Sequence, residues 1–340
     1  MEIICITPLK HQKELYKLLK KFGKIIYKPE ISKFELKKIL DRNKNIRSIF
    51  CNPNKQNYVL DKEILANSGI RVINTASTGL NHINIKDCIK LNINIISLKN
   101  DFRLLKKLPS TSELAFSLMI CLLKKINQSF ESVKKNNWNY EPFVGNELSS
   151  LSVGIIGFGR LGNFMSNFCK SFGMKVYIYD PYKKTKKFIN SSLNSIAKNC
   201  DVISIHVHVK DDTTKIISSK FLKKLEKKPI IINTSRGEVV SEKDIIIALK
   251  KDFISGYGTD VIEDEFGEIR NSPILKGIKK KLNILVTPHV GGMTWQGQRR
   301  AWIWSISKFD FINKFIKRNL RNYELYNLDN INKKKQKVYE

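Results

Sequence analysis

Gly157-Phe158-Gly159-Arg160-Leu161-Gly162 stands directly after the apolar run Ser152–Ile156 and at the head of a segment whose apolar residues recur at helical spacing. A strand that turns tightly into a helix uses glycine at the turn itself, where a pyrophosphate must approach the backbone, and where the helix packs on its strand. Amides at the start of that helix then face the phosphate charge. A lone GxGxxG is a weak signal. Here a second apolar run, Lys175–Tyr179, ends in Asp180, 18 residues beyond Gly162. A carboxylate there accepts ribose hydroxyls and repels a 2′-phosphate, so the pattern favours NAD over NADP. An ordinary glycine-rich turn accounts less well for that context.

Strand-like runs continue at residues 202–206, Ile230–Asn233, 254–259 and 284–287. Six strands with intervening helices make a doubly wound dinucleotide-binding sheet. On the N-terminal side, short apolar runs at 3–7, Lys24–Tyr27, Ile46–Cys51, Val72–Thr75 and 93–97 alternate with helical patterns at 11–22 and 33–40. That alternation predicts a small parallel α/β unit. Residues 110–133, after Pro109, read as one long apolar helix joining the units, followed by a loop with Trp138, Pro142 and Gly145. The amphipathic stretch 295–316, with Trp302 and Trp304, reads as a packed helix returning to the first unit, and residues 331–340 as a charged tail.

A length of 340 residues implies about two domains. An apolar content of 42% excludes a disordered chain. No run is long and apolar enough to read as a membrane-spanning helix. The first residues lack an export signal, so a cytoplasmic protein without a membrane partner is expected. Six cysteines with no CxxC pair argue against a disulfide framework or a zinc site, and no His or carboxylate spacing suggests another metal. The net charge of +30 raises the question of a polyanion, yet Arg supplies only 11 of the 61 cations and the excess is spread along the chain. A nucleic-acid surface concentrates arginine and interleaves aromatics, so no nucleic-acid partner is expected. Abundant Lys, Asn and Ile fit an AT-rich coding bias instead.

Three polar islands follow later strands of the second unit, where ligands bind in doubly wound folds. They are Asn233-Thr234-Ser235-Arg236-Gly237, the run from Gly258 to Glu265, and Thr287-Pro288-His289-Val290-Gly291-Gly292. Singly, Arg236 reads as a helix-start ion pair, Glu265 as a solvated acid and His289 as a satisfied histidine. Jointly, an arginine, a carboxylate and a histidine are the parts needed for hydride transfer at a 2-hydroxy or 2-oxo acid.

From Ser77-Thr78-Gly79-Leu80-Asn81-His82-Ile83, through Ser112-Glu113-Leu114 and Trp138, to Gly291-Gly292-Met293-Thr294, nearly the whole chain resembles the D-isomer-specific 2-hydroxyacid dehydrogenases. The resemblance implies an α/β protein of two doubly wound parallel-sheet domains. A flavodoxin-like substrate domain would take residues 1–99 plus 300–330 and a Rossmann NAD-binding domain residues 100–299, with the active site in the cleft between them. It places the catalytic arginine on Arg236, the histidine-pairing glutamate on Glu265 and the acid/base histidine on His289. Asp180 matches the ribose-binding aspartate and Asp260 the carboxylate near the nicotinamide amide. Gly157, Gly159, Arg160, Leu161, Gly162, His206, Val207, Thr213, Thr234 and Ser235 complete the expected cofactor contacts. Ser77, Thr78 and Gly79 would cradle the substrate carboxylate with Arg236. A homodimer pairing through the nucleotide domain is also implied.

Departures bear on the substrate. Thr75 stands where phosphoglycerate-acting members place arginine, His208 replaces a usual proline, and Phe266 replaces the proline after the glutamate. Residues 100–109 form a longer loop bearing Arg103, Lys106 and Lys107, and the chain ends before the regulatory domains some members append. The alternative is a dinucleotide-sensing binding protein or corepressor on the same fold. An intact Arg236, Glu265 and His289 set favours turnover.

Overall fold

Short runs rich in isoleucine and valine, apolar on both sides, can be buried only in a parallel sheet covered by helices on each face. The computed structural model describes residues 2–52, 58–265, 267 and 269–318, and in it these runs form two such sheets. The charged tail at 331–340, the 319–330 portion of the expected substrate domain and Phe266 lie outside the described residues. The chain divides into one unit of Met1–Lys107 with the segment from Trp295 onward, and a second of Leu108–Thr294.

In the first unit, β1 (Glu2–Cys5), β2 (Lys24–Tyr27), β3 (Ile46–Cys51), β4 (Val72–Thr75) and β5 (Asn94–Ile96) lie parallel in the order β2-β1-β3-β4-β5. Alternation along β1 sends Ile4 into a cluster with Leu36, Leu40 and Ile49. Ile3 and Cys5 enter another with Leu15, Leu19, Trp302 and Phe309. The helix Trp295–Arg318 therefore packs in this unit, with Trp302 stacked 6.0 Å from Phe50 and Phe309 edge-on to it at 5.0 Å. Its seat is made specific by polar ties. Asn74 Nδ2 donates to the Ser305 carbonyl at 3.0 Å, and Lys308 pairs with buried Asp101 at 2.6 Å.

His82 lies in this unit at 1% exposure, with Nε2 3.1 Å from the Thr75 hydroxyl and Nδ1 without a partner among the described residues. Burial depresses its pKa to about 4. Below about pH 6.5 the unfolded chain takes up a proton that the folded imidazole refuses until about pH 4. Stability is thus lost as pH falls through that window, by roughly 3 kcal/mol at 1.4 kcal/mol per unit. Urea midpoints at pH 7 and pH 4.5 will fall further for the wild type than for His82→Gln; equal falls would assign the loss to other groups.

In the second unit, β6 (Ser152–Ile156), β7 (Lys175–Tyr179), β8 (Ile189–Asn190), β9 (Val202–Ile205), β10 (Ile230–Asn233), β11 (Gly256–Thr259) and β12 (Ile284–Val286) form a parallel sheet ordered β12-β11-β10-β9-β6-β7-β8. The order reverses between β6 and β9, which creates the crevice in which such folds bind ligands. This sheet has one strand more than the hydrophobic pattern predicts. The extra strand, β8, has two exposed residues, too few to show any alternation.

Residues 110–133 also depart from expectation. They form two helices, Ser110–Leu123 and Ile126–Val133, separated where Lys125 turns left-handed at φ 51°. The Asn146 amide caps the Leu123 carbonyl at 3.3 Å, and Lys125 Nζ bonds the Pro142 carbonyl at 3.0 Å. Contacts from some twenty residues downstream hold the ends of the break, and apolar spacing does not reveal them.

Candidate functional site

The glycine loop is shaped by close approach. Gly157 holds φ 95°, donates to the Tyr179 carbonyl at 2.8 Å, and leaves no room for a Cβ, which would meet the His206 carbonyl at 2.6 Å. At Gly162 a Cβ would come within 2.0 Å of the Gly157 carbonyl, so the first helical turn lies against the loop. Gly159 caps the helix Arg160–Ser171 and faces open space, with nothing within 4 Å of its ideal Cβ position. That opening suits a pyrophosphate at a helix N-terminus. The helix start is braced from behind: Ser112 Oγ donates to the Leu161 carbonyl at 2.9 Å, and the Arg160 guanidinium donates to the Leu108 carbonyl.

Asp180, just past β7, accepts the Phe158 amide at 2.8 Å on Oδ2 and the Tyr182 and Lys183 amides at 2.9 and 3.0 Å on Oδ1. Its charge ties the glycine loop to β7. An ionised carboxylate has about four lone-pair sites, so these three donors leave room for a hydroxyl.

Beyond β9 and β10 lie buried polar atoms that have no partner among the described residues. His206 is half-buried; its Nε2 meets Ser204 Oγ at 2.9 Å while Nδ1 has no partner. Burial lowers its pKa to about 4, keeping the ring neutral. Thr234 Oγ1 is likewise buried and unpartnered. Orphaned polar atoms of this kind fit a site completed by a polar ligand. Val207 packs beside Gly157, and Thr213 closes its own loop by accepting the Lys210 amide at 2.8 Å and donating to the His208 carbonyl at 2.6 Å.

Arg236, Glu265 and His289 follow β10, β11 and β12, which are neighbours in the sheet. Asn233 shapes the turn before the arginine. Its Oδ1 accepts the Ser235 amide and hydroxyl at 3.0 and 2.8 Å, and its Nδ2 donates to the Arg236 carbonyl at 2.9 Å. The Arg236 guanidinium donates to the Ser235 carbonyl at 2.6 Å, and among the described residues it has no carboxylate partner.

His289 adopts φ 53°, a left-handed conformation that costs energy and persists only where surrounding contacts over-determine it. Asp260 supplies those contacts. Its carbonyl accepts the His289 amide at 3.0 Å, its Oδ1 accepts the Thr287 hydroxyl at 2.5 Å and the Val290 amide at 2.8 Å, and its Oδ2 accepts the Gly291 amide at 2.8 Å. Burial at 2% exposure pushes the Asp260 carboxyl up, opposed by those three donors. A place beside the nicotinamide amide is expected for Asp260 from the sequence; the observed contacts are with the histidine loop.

Glu265 reaches His289 Nδ1 with both oxygens, at 3.1 and 2.9 Å, and its side chain is 19% exposed against 42% for the histidine. An ionised carboxylate can only accept, so Nδ1 carries the hydrogen and Nε2 is the nitrogen that gains or loses a proton. Ser77, Thr78 and Gly79 follow β4 in the first unit, where the Gly79 amide donates to Ser77 Oγ at 3.1 Å and the Leu98 amide to the Ser77 carbonyl at 3.0 Å.

Asn233 and Thr287 escape a reading of the sequence for chemistry because neither carries a reacting group. Their signal is positional: Asn233 ends the buried strand β10 and Thr287 directly follows β12. Among the described residues no group of three or more His, Cys, Asp or Glu is placed to hold a metal, and no helix is long and apolar enough to cross a membrane.

A family model described as D-isomer specific 2-hydroxyacid dehydrogenase, NAD binding domain, matches residues 116–291. The chain is 30% identical over 257 residues to a hydroxypyruvate reductase of Thermotoga maritima, covering 72% of this chain and 78% of that one. It is 30% identical over 254 residues to a glyoxylate reductase of Thermococcus litoralis, covering 70% and 73%. The solved D-lactate dehydrogenase of Aquifex aeolicus, complexed with NAD and lactic acid, superposes with a TM-score of 0.73 at 26% identity over 94% of this chain and 96% of that one.

Proposed function

Because the chain belongs to the D-isomer-specific 2-hydroxyacid dehydrogenase family, we propose that it is an NAD-dependent oxidoreductase that interconverts a D-2-hydroxy acid and its 2-oxo acid. The observation that carries this reading is the Glu265–His289 pair, whose geometry reserves Nε2 for proton transfer.

The nicotinamide, when bound, would supply a hydride to C2 of the 2-oxo acid as NADH and take one from C2 of the hydroxy acid as NAD+. The amides after Gly159 would hold its pyrophosphate, Asp180 a ribose hydroxyl, and the unpartnered His206 Nδ1 and Thr234 Oγ1 other polar atoms, with Val207, Thr213 and Ser235 shaping the walls. Arg236 would grip the substrate carboxylate in a bidentate fork and polarise the C2 oxygen, a task a planar guanidinium performs better than an ammonium. During reduction, Nε2 of protonated His289 would donate to the developing alkoxide. During oxidation, the neutral ring would take the hydroxyl proton. Glu265 holds the ring orientation and balances its positive charge. Ser77, Thr78 and Gly79 are the proposed carboxylate cradle.

Thr75 is fully buried and bonded to Asn52 and His82, so it offers no cation to a phosphate. This supports an unphosphorylated 2-oxo acid. A homodimer, and a cytoplasmic one, is part of the same proposal. Its supporting observation is an apolar surface of Phe130, Val133, Trp138, Tyr140 and Val144, exposed by 61, 46, 86, 80 and 72%.

NADH oxidation across glyoxylate, hydroxypyruvate, pyruvate, 2-oxoglutarate, phosphohydroxypyruvate and branched or sugar-derived 2-oxo acids tests the reading. Turnover of at least one, abolished in His289→Ala, is the expected result; no turnover of any would sink it.

A further inference from the structure

Glu242 is a carboxylate at 2% exposure that the proposed chemistry does not use. It opens the helix Glu242–Lys250, where the helix dipole favours an acid. Its Oε1 accepts the Glu263 amide at 2.7 Å and its Oε2 the Ser272 hydroxyl at 2.7 Å. That hydroxyl accepts the Ile274 amide at 3.2 Å, at the start of the helix Pro273–Lys279. One side chain thus holds both ends of the segment that carries Glu265.

The turn bearing Arg236 touches the same segment. A Cβ on Gly237 would lie 2.0 Å from the Ile262 carbonyl carbon, so this backbone approach admits only glycine. Within the segment, Asp264 is left-handed at φ 54°, and the backbone bonds Gly267 to Asp264 and Ser272 to Ile269, at 2.9 and 3.0 Å, are local. Burial and the nearby Glu263 carboxylate push the Glu242 carboxyl up, while its hydrogen bonds hold it down.

We propose that Glu242 is a positioning residue. It sets Glu265, and through Glu265 the His289 ring, in register with Arg236. The catalytic consequence rests on the dehydrogenase reading; the positioning itself does not.

Glu242→Ala removes both acceptors. Glu242→Gln keeps an acceptor for the Glu263 amide and turns an NH2 towards the Ser272 hydroxyl, which can accept it. At a temperature where both variants are folded, Glu242→Ala will lower kcat by about 10- to 100-fold, the scale of an ångström-level misplacement, with KM for NADH unchanged. Glu242→Gln will retain most of the activity. In a Glu265→Ala background, Glu242→Ala will change kcat by less than about twofold, because it acts through the missing carboxylate. Hydrogen exchange at the Glu263 amide, which Glu242 accepts, will speed up in Glu242→Ala and not in Glu242→Gln.

Losses that multiply in the double variant, or amide protection unchanged in Glu242→Ala, overturn the proposal. A wild type inactive on every 2-oxo acid, with protection still lost in Glu242→Ala, removes the dehydrogenase reading and leaves the positioning role standing.

Discussion

Replacing His289 with asparagine will lower kcat for 2-oxo acid reduction by about 10²- to 10⁴-fold, the usual contribution of a positioned general acid. Asparagine is the informative choice because position 289 sits at φ 53°, and asparagine tolerates that conformation better than alanine or glutamine. The Asp260 clamp grips residue 289 through its backbone amide, together with its neighbours, so the loop keeps its shape in the variant. What disappears is the Nε2 proton held ready by the Glu265 contact at Nδ1. Single-turnover NADH oxidation reads the chemical step directly. A variant retaining a tenth or more of the wild-type rate would transfer the acid/base role to another group.

Arg236→Lys keeps the positive charge and removes the fork. With one compact ammonium in place of a planar guanidinium, bidentate contact with a carboxylate is lost and the polarisation of the C2 oxygen weakens. The expected result is a fall in kcat/KM for the 2-oxo acid of about 10²- to 10³-fold, or about 3–4 kcal/mol, comparable to deleting one donor from an oxyanion site. KM for NADH will move little, because the glycine loop and Asp180 lie around β6 and β7 while Arg236 follows β10. The Asn233 brace engages the Arg236 carbonyl, so the backbone turn survives the substitution. A variant that loses NADH affinity while keeping its kcat/KM for the acid would contradict a substrate-binding arginine.

Much of this site is legible residue by residue because the chemistry demands particular side chains. Hydride transfer to a 2-oxo acid calls for a carboxylate-binding cation and a proton donor of tunable charge, and Arg236, Glu265 and His289 stand just past strands that the apolar runs reveal. Ile230–Asn233, Ser152–Ile156 and Lys175–Tyr179 have the same limits in the sequence pattern and in the sheet. The supporting residues are less visible. Glu242 reads as an ordinary acid favouring a helix start, and Asp260 as one carboxylate in an acidic run. Their burial comes from the Glu263 amide and Ser272 on one side and the Thr287–Gly291 turn on the other, all at least 21 positions along the chain.

The break at Lys125 escaped the pattern because contacts some twenty positions on hold it, and the strand at Ile189–Asn190 because two exposed residues show no alternation. Sequence alone determined the two parallel sheets, the dinucleotide loop and which side chains are proposed as the reacting groups, because apolar periodicity, glycine spacing and side-chain chemistry are local properties. Only the tertiary structure decided which acids are clamps, which nitrogen of His289 is left for proton transfer, and where the long apolar stretch bends. Those outcomes depend on which donors and acceptors meet after burial, and in water each of these groups would be equally satisfied by solvent.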